Sequence, residues 1–406
     1  MTSMEVFECY FCKKTFPVDP YNSFCPTCQE PLLYKAPLTE KKFYLHKDHP
    51  LEIMLDFLPL TEVNHDLSLG EGNTPLIRLK NVEKKYKFPS IFAKNETINP
   101  THSFKDRGTA VAIQKAVSLG FTRIGTVSTG NMAASTAAYG ARAGLKTFVL
   151  VKEGTQREIL ISTGIHDPLL IKVKGDYGRL FRRSFSLGKQ NHIYFSNSVD
   201  PFRIEGYKVT GFEIFLQLNR QPPEFIFVPV SSGGHLIGIM KAFRELKQYG
   251  FIQEYPHFVG VQAEGCSPIA KAFHKGKSKV KRIEKIKTIA KAISNPDPPG
   301  GNLLLQMIKR AGGTILSVSD KKILEAQRLL AELEGIFVQP ASATTLAGLL
   351  DFTKLKKLKS DSTVVMILTG SGLKATQAVP LSSIRVLHST LSKLSRIIKS
   401  VSSQTS

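Results

Sequence analysis

The feature that most narrows what this chain can fold into is an alternation of short apolar runs with longer amphipathic ones, separated by glycine- and serine-containing turns. Short runs rich in branched and aromatic side chains read as strands at Leu76–Leu79, Ile91–Lys94, Arg123–Val127, Thr147–Val151, Leu169–Val173, Phe225–Val230, Phe258–Gln262 and Thr363–Leu368. Between them, helical spacing marks Ala133–Ala143, Ile237–Lys247 and Lys321–Glu334. Strands that alternate with helices pair in parallel, so the fold class is α/β with parallel sheets. A chain of 406 residues exceeds what one core organises, which predicts two main domains and a small appendage. No apolar run approaches the length of a membrane span. The first five residues lack the basic and apolar blocks of an export signal, which predicts a cytoplasmic protein.

The appendage is legible in the cysteines. Four of the five lie in the first thirty residues, as Cys9-x-x-Cys12 and Cys25-x-x-Cys28, with Cys266 far away as an apolar filler. Two such knuckles across a short ribbon suit a closed tetrahedral site for structural zinc, and iron in a rubredoxin-like site uses the same spacing. A pair of disulfides is the alternative, disfavoured in a reducing compartment. The chain is also strongly basic, with 55 Lys and Arg against 33 Asp and Glu and a net charge of +22. Much of the excess falls in 271–291, in 354–359 and at the C-terminal end, without the interleaved aromatics that stack on bases. A solvated basic surface is the reading, and no nucleic-acid partner is expected.

Chemistry is concentrated at the ends of strands. In Asn99-Pro100-Thr101-His102-Ser103-Phe104-Lys105-Asp106-Arg107-Gly108 a loop turns into a helix. The proline disfavours helix before it, Ser103 is placed to cap, and Asp106 completes a short capping box. Lys105 then falls in the first turn, where the helix dipole disfavours an ammonium ion and favours the neutral, nucleophilic amine. Three further junctions follow strands: Ser128-Thr129-Gly130-Asn131, Ser231-Ser232-Gly233-Gly234-His235, and Thr369-Gly370-Ser371-Gly372. The first suits a carboxylate at a helix N-terminus, and the second forms a phosphate-sized nest of backbone N–H groups. None follows the G-x-G-x-x-G pattern of nicotinamide sites. One reactive lysine with several anion-binding turns points to pyridoxal phosphate.

Taken in order, seven segments of the chain resemble threonine synthase. They are Leu69–Leu76, Asn99–Gly108, Ser128–Asn131, Asn197–Gly206, Gly260–Gly265, Glu334–Ser342 and Thr369–Leu373. The resemblance spans about Leu67 to Leu373 and extends to members carrying an N-terminal cysteine ribbon. It implies the tryptophan-synthase-β-like (fold type II) class, two parallel-sheet α/β domains with pyridoxal phosphate between them. The expected layout is a zinc ribbon over 1–38, a large domain over 39–90 and 196–385, a small domain over 91–195 carrying Lys105 and Asn131, and a basic tail over 386–406. Carried over, Lys105 holds the cofactor as a Schiff base and shuttles protons, and Asn131 meets the ring oxygen. Ser231, Ser232, Gly233, Gly234 and His235 cradle the cofactor phosphate, and Thr369 faces the pyridine nitrogen. Ser128 and Thr129 receive the substrate carboxylate, while Ser198 and Arg203 hold the substrate's own phosphate. Cys9, Cys12, Cys25 and Cys28 hold the metal.

The implied reaction converts O-phosphohomoserine and water to threonine and phosphate. Members commonly pair as homodimers, so a second copy is the expected partner. The chain departs from the family pattern at His102, Met132, Ser232, His235, Gln339 and Ser371. Met132, where a hydroxyl residue usually stands, bears most on substrate identity. A related lyase or β-replacing enzyme acting on another amino acid is the alternative, followed by a non-catalytic ribbon protein that binds a partner.

Overall fold

The computed structural model describes residues 5–398, apart from 38, 156, 356–357, 380–383, 385, 388 and 396. Residues through Lys374 form one compact unit, and Ala375 onward a second. The expected basic tail falls within the second unit, and its residues 399–406 lie outside the described residues. No helix among the described residues is long and apolar enough to cross a membrane.

Strands β1 (Val6–Cys9), β2 (Thr15–Pro17) and β3 (Leu32–Lys35) form a small antiparallel ribbon in the order β2-β1-β3. Two larger sheets follow. The first has the order β12-β11-β10-β13-β5-β4, built from β4 (Leu76–Arg78), β5 (Ser90–Asn95), β10 (Phe225–Pro229), β11 (His257–Ala263), β12 (Thr314–Val318) and β13 (Thr363–Leu368). Every pairing in it is parallel except that of the three-residue edge strand β4. The second, order β8-β7-β6-β9, joins β6 (Arg123–Val127), β7 (Lys146–Lys152), β8 (Leu169–Val173) and β9 (Tyr194–Phe195) in parallel. Central β10 is buried at every residue, as a strand covered on both faces must be, whereas edge strand β8 is partly exposed throughout.

The helices are α1 (Pro50–Ile53), α2 (Lys80–Tyr86), α3 (Lys105–Ser118), α4 (Asn131–Arg142), α5 (Arg157–Gly164) and α6 (Tyr177–Asn191). They continue with α7 (Pro201–Gln217), α8 (Gly234–Gln248), α9 (Pro268–His274), α10 (Gly301–Arg310), α11 (Asp320–Glu334) and α12 (Pro340–Leu355). Parallel α/β organisation is therefore as the strand rhythm implies. The domain division at residue 91 differs from the sheets. β5 belongs to the six-stranded sheet because it pairs with β13 from the far end of the chain, and the four-stranded sheet begins only at Arg123.

Helix α7 is buried from Pro201 to Phe215, packed against α3 on one side and α8 on the other. It carries charge into the core. Glu213 Oε2 accepts from Lys94 Nζ at 2.6 Å, and Arg107 of α3 donates to both Glu213 and Glu96 at 2.6–2.7 Å. Thr74 donates its hydroxyl to Glu96, and Asn73 N–H donates to Glu213. This cluster ties the loop before β4, the end of β5, α3 and α7 to one point. Removing a partner from a buried ion cluster strands the others, at a cost of about 3–5 kcal/mol. Glu213→Gln should lower the unfolding free energy read from urea denaturation by an amount of that order at pH 7. The two cations hold the Glu213 carboxyl down to about 2 despite its burial. The stabilisation is therefore complete above the ordinary carboxylate range and fades only as pH falls toward 2.

Candidate active site

The carboxyl ends of β5 and β13 lie side by side, with Asn95 opposite Leu368. The loops that leave them are laced together before α3 begins. Phe104 N–H donates to Thr369 O at 3.1 Å, Ser371 N–H donates to His102 O at 3.1 Å, and Ser103 pairs with Gly370. This lacing displaces the expected cap. Ser103 Oγ is buried with no hydrogen-bond partner among the described residues, and Phe104 precedes α3 without a side-chain cap. Asp106 instead accepts from the Thr101 N–H and hydroxyl, each at 2.6 Å, closing the loop upon itself.

Lys105 is the first residue of α3, with Nζ 4.3 Å from the centre of the Phe104 ring and 5.7 Å from that of Tyr207. Burial, and then the positive charge of Arg203, pull its amine down from 10.5 to about 7. Desolvation is the larger cause, an effect that the helix-end argument does not contain. His235 stacks on Phe104 with ring centres 3.9 Å apart and planes 11° from parallel. Its Nε2 lies 3.4 Å from Thr210 Oγ1, while Nδ1 is buried with no partner among the described residues. Burial and the nearby cations push its imidazole well below the usual range, so the ring is neutral.

Two helix starts face this lysine region with open backbone donors. At α8, the N–H groups of Ser232, Gly233, Gly234 and His235 find no acceptor among the described residues. Gly233 adopts φ 97°, a left-handed conformation that bends the chain into a nest and favours glycine. Gly234 lies against Ser198, whose carbonyl oxygen would sit 2.6 Å from an added Cβ. At α4, the N–H groups of Thr129, Gly130, Asn131 and Met132 are open in the same way, while Ser128 N–H donates to Leu150 O. Asn131 meets Gln339 in a reciprocal amide pair, Nδ2 to Oε1 at 3.3 Å and Nε2 to Oδ1 at 3.5 Å. Gln339 N–H in turn donates to Gly370 O, next to Thr369. Thr369 Oγ1 lies 3.0 Å from Ser342 Oγ, which also accepts from Gly370 N–H at 2.9 Å. The junctions after β5, β6, β10 and β13 thus meet around Lys105, where open α/β sheets bind ligands.

Residues 67–370 match the family of pyridoxal-phosphate dependent enzymes. The chain belongs to that family. It is 39% identical to threonine synthase of Methanocaldococcus jannaschii, over 90% of this chain and 92% of that protein. Threonine synthase of Methanosarcina acetivorans is 38% identical over 77% of this chain and 78% of its own. Among solved structures, a fungal L-serine ammonia-lyase from Rhizomucor miehei superposes with a TM-score of 0.64 at 22% identity, covering 74% of this chain and 94% of that one. Maize serine racemase gives 0.63 at 17% identity, over 82% and 94%. These two establish the shared fold.

The donor set fits pyridoxal phosphate: an amine neutral near pH 7, a row of open N–H groups for a phosphate, an amide and a hydroxyl. The buried orphans Ser103 Oγ and His235 Nδ1 mark the same region as built for a polar guest. Arg203, at the start of α7, is fully buried and donates to Ser196, Thr109 and Thr136 hydroxyls at 3.1, 2.9 and 3.2 Å. It makes no ion pair among the described residues. The sequence assigns no role to Gln339 or Ser342, although Pro340 in the first position of α12 marks a helix start there.

At the other end of the chain, Cys9, Cys12, Cys25 and Cys28 gather their sulfurs within 4.8 Å of one another. The two knuckles repeat one geometry. Lys13 N–H donates to Cys9 O and Cys9 N–H to Lys14 O; Gln29 N–H donates to Cys25 O and Cys25 N–H to Glu30 O. Lys13 and Gln29 both take left-handed φ, 61° and 58°. Cys12 and Cys25 sulfurs lie 3.8 Å apart, the edge of a tetrahedron of about 2.3 Å metal–sulfur bonds.

The titration of Lys105 is directly measurable. Capture of pyridoxal phosphate by apo-protein, trapped with borohydride, should rise with pH through a midpoint at about 7 and then level. Lys105→Ala should abolish capture near neutral pH.

Proposed function

We propose that this protein is a threonine synthase, converting O-phosphohomoserine and water to threonine and phosphate. The observation that carries the reading is Arg203: a buried guanidinium whose hydrogen-bond partners among the described residues are hydroxyls, close enough to Lys105 to depress its amine. The buried Asp200 feels the Arg203 charge, yet the guanidinium forms no ion pair among the described residues, and a substrate phosphate supplies an anion for it. The likeness to threonine synthases over nine-tenths of the chain supports the same substrate.

In this reading the open N–H groups of Ser232 to His235, with Ser231 beside them, hold the cofactor phosphate, and Lys105 holds the cofactor covalently. Asn131 turns its remaining amide N–H to the ring oxygen, its other face fixed by Gln339, and Thr369 offers a neutral hydroxyl to the pyridine nitrogen. Pyridoxal phosphate, when bound, supplies an electron sink that acidifies the carbon-bound protons of an amino acid. Ser128 and Thr129, at the open start of α4, receive the substrate carboxylate, while Ser198 and Arg203 hold its phosphate. Lys105 Nζ, neutral above about pH 7, takes a proton from substrate carbon and returns it. His235 contributes its backbone N–H, and its neutral ring adds packing without charge.

The four cysteines hold zinc in a structural role, since every position is filled by protein. Metal content should be one zinc per chain, lost in Cys28→Ala together with the ordered ribbon.

Pure protein supplied with pyridoxal phosphate and O-phosphohomoserine should release threonine and phosphate in equal amounts, and Lys105→Ala should lower turnover by about 10³-fold or more. Met132 supports a second reading: it is buried and brings no hydroxyl to the start of α4. Ammonia and a keto acid formed from serine or threonine, with no threonine from the phosphorylated substrate, would decide for a related lyase.

A further inference from the structure

The cysteine ribbon and the phosphate nest are joined by a short chain of polar contacts. The second knuckle ends at Glu30, whose carbonyl accepts from Cys25 N–H and whose carboxylate accepts from Asn302 Nδ2 at 2.8 Å. The other end of the Asn302 amide accepts from Val280 N–H at 2.7 Å, so the side chain is held from both sides. Two residues earlier, Gly300 N–H donates to Ser232 O at 3.1 Å, and Asn295 Nδ2 donates to Ser232 Oγ at 3.0 Å. A Cβ on Gly300 would lie 2.5 Å from that Ser232 oxygen, so the approach needs glycine.

Peptide geometry turns these contacts into aim. In a trans peptide the C=O and the following N–H point in opposite directions. Pinning Ser232 O to Gly300 therefore directs Gly233 N–H away from the 295–302 segment and into the nest. The segment that does the pinning is fastened to the ribbon at Glu30.

We propose that Asn302 is a positioning residue for the cofactor-phosphate nest, and that the cysteine ribbon sets its position through Glu30. The proposal rests on the pyridoxal phosphate reading above. The ribbon is then part of the cofactor site, and changes at its second knuckle are felt as cofactor affinity. Neither residue touches the cofactor; each acts through the orientation of the Ser232–Gly233 peptide.

The test measures pyridoxal phosphate affinity by equilibrium dialysis and the environment of the bound phosphate by phosphorus-31 resonance. Both are read on the full-length zinc-loaded protein, with metal content and near-UV circular dichroism confirming fold. Glu30→Ala and Asn302→Ala should each weaken binding about tenfold, the scale of one hydrogen bond to a charged group, and shift the phosphorus signal. The double variant should be no worse than either single one, and Glu30→Gln, which keeps an acceptor, should stay near wild type. Glu30 is half-buried where the ribbon meets Asn302, and its variants carry the test if Asn302→Ala does not fold. Wild-type affinity and an unshifted phosphorus signal in Glu30→Ala would overturn the proposal, as would additive losses in the double variant. A wild-type protein that binds no pyridoxal phosphate would instead overturn the cofactor reading itself.

Discussion

The structure depends on the buried ion cluster centred on Arg107. Arg107 follows Lys105 by two residues on the first turn of α3, and its guanidinium is shared between Glu96 in the preceding loop and Glu213 on α7. Fixing Arg107 therefore fixes the start of α3, and with it the direction from which the Lys105 amine leaves the helix. Lys94 and Thr74 close the cluster toward the edge of the six-stranded sheet. A hydrophobic contact would pack these elements but leave their register soft, whereas short bonds among fixed forks have a defined geometry. The cost of burying four charges is offset only because two carboxylates and two cations satisfy one another.

Against that rigid base, Lys105 is held where it makes no ion pair among the described residues. Its neighbours are two aromatic faces, a neutral histidine and a cation, and burial together with that cation makes the ammonium form less favourable. The contrast with Lys94, eleven residues earlier and fully buried, shows what a partner does. Burial lowers Lys94 too, but Glu213 opposes the shift and accepts a hydrogen bond from it at 2.6 Å. One lysine is paired and keeps its charge in the core, while the other, with no carboxylate partner among the described residues, is driven toward the neutral form.

Much of this is legible in the sequence, and the limits have physical reasons. Strand positions follow from apolar runs; β8 and β13 match their sequence spans, one at a sheet edge and one near its centre. The junction residues stand out because glycine and hydroxyl side chains after a strand signal a turn. The cap expected at Ser103 is absent, because pairing with Gly370 is a contact across 267 residues that no local rule contains. Helix α7 escapes the sequence pattern: its stripe is masked by Arg203, Glu205, Lys208 and Glu213, charges that read as solvent-facing and are buried. The amide pair of Asn131 and Gln339 is hidden because its two residues lie 208 apart in sequence.

The ribbon has a consequence for how the molecule is made. Its first knuckle is complete within the first fourteen residues, yet the surfaces it rests on come much later in the chain. Phe24 packs on Phe181 and Phe185, Phe7 and Tyr34 on Phe202, and Glu30 reaches Asn302, a span of 272 residues. During synthesis the ribbon precedes all of these surfaces, and its last contact, Glu30 with Asn302, forms only once α10 has left the ribosome. The knuckles close through local contacts; docking is long-range and late. The N-terminal thirty residues thus act as the closing clasp of a fold whose body must form before they can fasten it.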